Sequence, residues 1–266
     1  MSERMNQLTR KDGSLFIPFI TAGDPSSDAT IELALMLEEA GADLLELGIP
    51  YSDPLADGPT IQEASKRALK GGMTLGGAMK LVPVMRERGL TIPVVVFTYF
   101  NPLLQFGEER FTQLASEMGI DGLLVPDLPY EENVHLVALC EKEKLSFISL
   151  VAPTSNERIE KIARRAQGFL YCVSSLGVTG ERKKIDARVY DFLQTVREKS
   201  SVPIAVGFGI SSAEQVKEMN QHADGVIVGS ALVAEIAKYE EQLKDEKNRK
   251  DALFQIKTFV TSLISS

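Results

Sequence analysis

Leu15-Phe16-Ile17-Pro18-Phe19-Ile20-Thr21-Ala22-Gly23-Asp24-Pro25 opens as a strand and closes as a turn. The apolar run over 15–20 reads as a buried strand. The turn after it holds a single glycine and lacks the G-x-G-x-x-G spacing. A doubly wound, dinucleotide-binding sheet usually carries that fingerprint at its first strand-to-helix turn. The reading therefore moves to the other large α/β class.

Working outward, short apolar, β-branched-rich runs recur at 43–47, 93–98, 122–125, 145–150, 169–174, 204–206 and 225–228. Segments of helical period separate them. Ile159, Ile162, Ala163 and Ala166 follow an i, i+3, i+4, i+7 stripe. Thr154 with Glu157, and Ser211 with Glu214, stand in capping-box spacing. Asp24-Pro25-Ser26 is a start signal for a helix carrying Ile31 and Leu35. Strands alternating with helices imply a parallel sheet with crossover helices. Eight such units in 266 residues is the (β/α)₈ count. The expected fold is α/β: a single (β/α)8 TIM barrel over 1–266, with extra N- and C-terminal helical elements. The charged stretch 238–251 reads as a solvated helical face or helix junction. Leu253, Ile256, Val260 and Leu263 then form a closing amphipathic helix. No internal repeat beyond the βα period is evident.

Composition narrows the function classes. A net charge of −8 argues against a nucleic-acid surface, which would carry a basic stripe. Cys140 and Cys172 share no short spacing, so neither a metal site nor a disulfide framework is indicated. His135 and His222 fall in helix-like, surface segments and build neither a triad nor a zinc site. The N-terminus lacks an apolar signal core, and no apolar run is long enough for a membrane helix. The expected compartment is the cytoplasm, with no metal, no membrane and no nucleic acid.

Barrel active sites are built from the loops after the strands. The gaps after the second and sixth runs are the long ones. Glu46 stands in Leu44-Leu45-Glu46-Leu47-Gly48, inside an otherwise apolar strand. Strand alternation puts it on the face opposite Leu45 and Leu47. If those two pack outward, Glu46 points into the barrel. Burial then raises its pKa and suits it to general acid/base work. The competing reading is a structural carboxylate bonded to backbone or to an arginine. Asp53 and Asp57 follow in a loop restrained by Pro50, Pro54 and Pro59, and either can simply form a turn.

The runs Val206-Gly207-Phe208-Gly209-Ile210-Ser211 and Val228-Gly229-Ser230-Ala231 end the seventh and eighth units. Glycine admits close backbone approach to an anion, and a helix N-terminus supplies free N–H groups. Barrels frequently bind phosphate at these two places. Tyr171, Phe19, Tyr99 and Phe208 lie at or near strand ends and together suit an aromatic pocket. The loop Gly177-Val178-Thr179-Gly180, followed by Glu181-Arg182-Lys183-Lys184, fits a mobile lid or an ordinary surface loop.

The fourteen residues from Glu46 to Pro59, ELGIPYSDPLADGP, closely resemble the signature block of the tryptophan synthase alpha-chain family. FIPFITAGDP (16–25), SSLGVTG (174–180), and Gly207–Ile210 with Gly229-Ser230 resemble the family's other blocks in order. The resemblance covers essentially the whole chain.

It implies a lyase making a retro-aldol cleavage of indole-3-glycerol phosphate to indole and glyceraldehyde 3-phosphate. Glu46 and Asp57 match the family's catalytic carboxylates, and Tyr171 a tyrosine beside them. Gly180, Gly207, Gly209, Gly229 and Ser230 fall on phosphate-binding positions. Phe19, Tyr99 and Phe208 fall on positions lining the indole pocket. Thr179 resembles a threonine that bonds Asp57 on loop closure, and the loop around Asp53 a partner-communication element. The resemblance also implies an α₂β₂ complex with a beta subunit that holds pyridoxal phosphate. No cofactor is expected in this chain. Another phosphate-handling barrel and a non-enzymatic partner activator remain as alternatives.

Overall fold

The computed structural model describes residues 1–8, 15–173, 187–207 and 209–264. Its strands are β1 (Leu15–Thr21), β2 (Leu45–Gly48), β3 (Val94–Phe97), β4 (Gly122–Leu124), β5 (Ser146–Phe147), β6 (Ser149–Val151), β7 (Leu170–Val173), β8 (Ile204–Gly207) and β9 (Gly225–Val228). Each pairs in parallel with its neighbours, in the order β5-β4-β3-β2-β1-β9-β8-β7-β6. Only Ile148 separates β5 from β6, so the two ends of that order are halves of one strand. The sheet thus closes as an eight-stranded barrel with helices on the outside.

The run expected over 145–150 is therefore divided. Its first half bonds to β4 and its second to β7. Ile148 is the point of transfer, still donating its N–H to Leu123 O at 2.8 Å.

Alternation along the strands sorts the core into two layers. Leu45, Leu47, Val94, Val96 and Leu123 face outward against the helices. Ile17, Leu44, Val95, Leu124, Ile148, Phe169, Ala205 and Ile227 fill the barrel. The N-terminal helix Glu3–Asn6 plugs the bottom with Met5, which is 1% exposed. Ser26 caps Ser27–Glu39 as expected. The two capping boxes are displaced by one residue. Ser155 caps Asn156–Arg165, and Ser212 caps Ala213–Met219. The closing helix is Arg249–Ile264, with Ala252, Ile256, Val260 and Leu263 buried. His135 is exposed, while His222 lies past a helix end, its ring 4.3 Å from that of Tyr190.

The barrel floor does carry a repeat beyond the βα period. Asp43, just before β2, accepts the N–H of Phe16 in β1 at 2.9 Å. Asp121, before β4, accepts from Val94 in β3 at 2.9 Å. Gln167, before β7, accepts from Phe147 in β5 at 3.1 Å. Asp224, before β9, accepts from Ile204 in β8 at 2.9 Å. A residue just before every second strand thus satisfies the first or second N–H of the strand before it, at a buried end where an unpaired donor is costly.

Candidate active site

Glu46 enters the barrel for the reason its alternation implies. Leu45 and Leu47 pack outward, and Glu46 shares the inward face with Leu44. It stands in register with Phe19 of β1 and Val95 of β3, and is 1% exposed. Its Oε1 is buried with no hydrogen-bond partner among the described residues. Burial alone pushes the Glu46 pKa up from 4.5 to about 8.

Asp57 lies in the loop between β2 and the helix Pro59–Lys70. Its N–H donates to Pro54 O at 3.0 Å, and Gln62 Nε2 donates to its carbonyl at 2.8 Å. Its carboxyl is buried. Burial pushes its pKa up to about 6, while a hydrogen bond from the Tyr99 hydroxyl pulls the other way. Tyr171 sits on the inward face of β7 beside Phe169. Its phenol is held well above its ordinary pKa by burial, then by Glu46 and Asp57.

Glu46, Asp57, Tyr171, Phe19, Gly207, Gly209, Gly229 and Ser230 all line one cavity of about 50 Å³ at the C-terminal mouth of the barrel. Gly209 has φ +66°, a backbone that disfavours other residues. The helix Ser230–Lys238 opens at Gly229 with no side-chain cap, so its first-turn amides are available to an anion. Gly207 is required by contact. A Cβ there would stand 2.5 Å from the Tyr171 hydroxyl. Gly207→Ala is expected to displace the tyrosine and raise KM about tenfold or more, since small misplacements at a reacting site are costly. Steady-state kinetics check this, and an unchanged KM would refute the contact.

A second cavity, of about 600 Å³, shares Asp57, Phe97 and Tyr171 and continues over Val125, Leu128 and Leu150. It supplies the apolar wall. Tyr99 was expected on that wall, but it lines neither cavity and lies 2% exposed behind Asp57. Asp53 is exposed and lines neither cavity. Phe208, Thr179 and Gly180, with the rest of the 174–186 segment, lie outside the described residues. Phe97, Leu150, Ile61 and Ile227 are lining residues that sequence reasoning did not single out. Phe97 was accessible, being two residues beyond the inward-facing Val95. Among the described residues, no group of three His, Cys, Asp or Glu side chains is placed to hold a metal ion.

Fold and site together define a (β/α)8 barrel with two buried carboxylates, Glu46 and Asp57, facing a cavity at its C-terminal mouth. A family model for the tryptophan synthase alpha chain matches residues 5–261. The chain is 65% identical to the tryptophan synthase alpha chain of Halalkalibacterium halodurans over 95% of this chain and 96% of that one. It is 64% identical to that of Shouchella clausii over 99% and 98%. Among solved structures, a tryptophan synthase complex from Pyrococcus furiosus superposes with a TM-score of 0.85 at 38% identity, covering 96% of this chain and 99% of the other. Tryptophan synthase from Mycobacterium tuberculosis gives 0.83 at 32%, covering 98% and 95%. The chain belongs to the tryptophan synthase alpha-chain family.

Proposed function

We infer that this chain cleaves indole-3-glycerol phosphate to indole and glyceraldehyde 3-phosphate. The observation that carries the reading is a buried Glu46, its Oε1 without a hydrogen-bond partner among the described residues, facing the same cavity as a buried Asp57. The whole chain acts as one catalytic barrel in the cytoplasm. It works with a beta subunit that holds pyridoxal phosphate and receives the indole.

Cleavage needs a proton delivered to indole C3 and another taken from the glycerol hydroxyl as the C–C bond breaks. The electron pair of that bond returns to the indole ring, and the hydroxyl carbon becomes the aldehyde. Glu46, with a pKa of about 8, carries its proton at neutral pH and is poised to donate it. Once ionised, it takes the hydroxyl proton. Asp57, with a pKa of about 6, is then a carboxylate and stabilises positive charge at the ring N–H. Two carboxyls with separated pKa values thus hold the acid and the anion roles. The phosphate rests on the turns at Gly207, Gly209 and Gly229-Ser230. The indole lies against Phe19, Phe97 and Leu150.

Activity should therefore be highest between pH values of about 6 and about 8, where Asp57 is charged and Glu46 protonated. Asp57→Asn is expected to cut kcat about 10²–10³-fold, the scale of one removed electrostatic stabiliser, and to erase the acid limb. The test is steady-state cleavage of indole-3-glycerol phosphate by the purified chain, alone and with a tryptophan synthase beta subunit. No cleavage in either condition would overturn the assignment.

A further inference from the structure

The Tyr99 side chain is nearly inaccessible, and its hydroxyl has two partners. It accepts the Ala56 N–H at 3.0 Å and hydrogen-bonds the Asp57 carboxyl. One phenol thus grips both the backbone before Asp57 and its functional group. The ring is itself held. Tyr51 packs on it with centroids 5.4 Å apart, and Asn101 Nδ2 donates to the Tyr51 hydroxyl at 3.0 Å. Phe97 meets its other side edge-on, with centroids 6.3 Å apart. Asn101 sits in the first turn of the helix Phe100–Phe106, and Tyr51 begins the Asp57 loop. The loop is therefore tied to the end of β3 through these side chains, besides the backbone bond from Ile49 N–H to Phe97 O at 2.8 Å.

We propose that Tyr99 is a positioning residue for Asp57, and that the Tyr51–Asn101 pair holds Tyr99 in place to do this. The proposal rests on Asp57 having the role given above. It replaces the expectation that Tyr99 forms a wall of the indole pocket. Substrate contact would require the ring to reach a cavity, and it reaches neither. The bond to Tyr99 also lowers the Asp57 pKa against the effect of burial. The other ionisable groups felt at this cluster are Glu46 and Tyr171 across the cavity and Asp127, which accepts the Phe100 N–H at 2.9 Å.

The test compares Tyr99→Phe, Asp57→Asn and the double variant in the complex with a beta subunit, measuring kcat, KM and the pH profile of cleavage. Tyr99→Phe keeps the ring and removes only the hydroxyl. It is expected to lower kcat about tenfold to a hundredfold, the scale of one hydrogen bond to a charged group. KM should stay nearly constant, and the acid limb should move to higher pH. In the Asp57→Asn background the Tyr99→Phe effect should largely vanish, because a residue acting through Asp57 has nothing left to hold. Multiplying effects, or a rise in KM with an unmoved acid limb, would restore Tyr99 to the pocket wall and overturn the proposal. An Asp57→Asn variant with full activity would instead sink the reading on which it rests. Tyr51→Phe, which loses only the Asn101 bond, should reproduce the limb shift in smaller measure.

Discussion

Glu46→Gln should abolish cleavage and yet give a more stable protein at alkaline pH. General acid–base groups contribute about 10²–10⁴-fold. Glu46 is expected near the upper end because the proposed reaction assigns both proton transfers to this one side chain. The stability gain follows from the same burial. The folded-state pKa, about 8, lies above the ordinary 4.5. Folding therefore favours the protonated form. Below pH 4.5 the group is neutral in both states and costs nothing as a charge. Between that value and about 8 the unfolded chain ionises first, so stability falls as pH rises. Above about 8 the full cost is present, a few kcal/mol at about 1.4 kcal/mol per pH unit. A glutamine matches the neutral acid in shape and polarity and never ionises. Thermal unfolding of the two proteins across pH 5–9, with kcat measured in parallel, is the check. The melting temperatures should coincide at the acid end and diverge toward pH 9. Parallel melting curves at every pH would mean that Glu46 ionises at the same pH in the folded and unfolded chain, so that the barrel does not raise its pKa. Retained cleavage would remove it from the reaction.

The inward aim of Glu46 was legible because it follows from the two-residue period and the identities of Leu45 and Leu47. The glycine turns were legible because their place after the seventh and eighth strands is tied to a general habit of barrels. Strand order and closure followed from the count of eight. The division at Ile148 did not, because the run over 145–150 is uniformly apolar and a change of hydrogen-bonding neighbour leaves no trace in side-chain pattern. The capping residues were misread by one position because Thr154-Ser155 and Ser211-Ser212 each offer two competent hydroxyls in succession. Backbone geometry chooses between them. Tyr99 was found but given the wrong surroundings. Sequence places a residue near a strand end, whereas the direction of its ring depends on where the Asp57 loop folds back. The floor repeat is faint in sequence because it rests on one residue per two strands, and Gln167 breaks the run of aspartates.

That floor gives the second large effect. Asp121→Ala should destabilise the protein by about 3–5 kcal/mol, the range for removing one partner of a buried ion pair, with no loss of cleavage at low temperature. Asp121 is 0% exposed and accepts from Val94 N at 2.9 Å, Arg4 Nε at 2.9 Å and Arg86 Nη2 at 2.7 Å. Arg86 also donates to the carbonyls of Leu90, Ile92 and Gly119, so it cannot swing out to solvent without breaking them. Alanine would strand its guanidinium charge, leave the Val94 donor unpaired and release Arg4. Arg4 lies next to Met5, the plug of the barrel floor. Asp224 makes the same backbone bond, but Arg197 beside it is 44% exposed at 3.3 Å. Asp224→Ala should accordingly cost less, about 1–3 kcal/mol, the range for an unpaired buried donor. Denaturant unfolding of the two variants separates the contributions. A graded loss, larger at Asp121, would assign the excess to the Arg4–Asp121–Arg86 cluster. Equal losses would mean that the strand-capping bond alone carries the effect and that the arginines contribute only packing. Because the floor lies at the opposite end of the barrel from Glu46 and Asp57, a large fall in kcat in either variant would contradict the separation of stability from chemistry along the barrel axis.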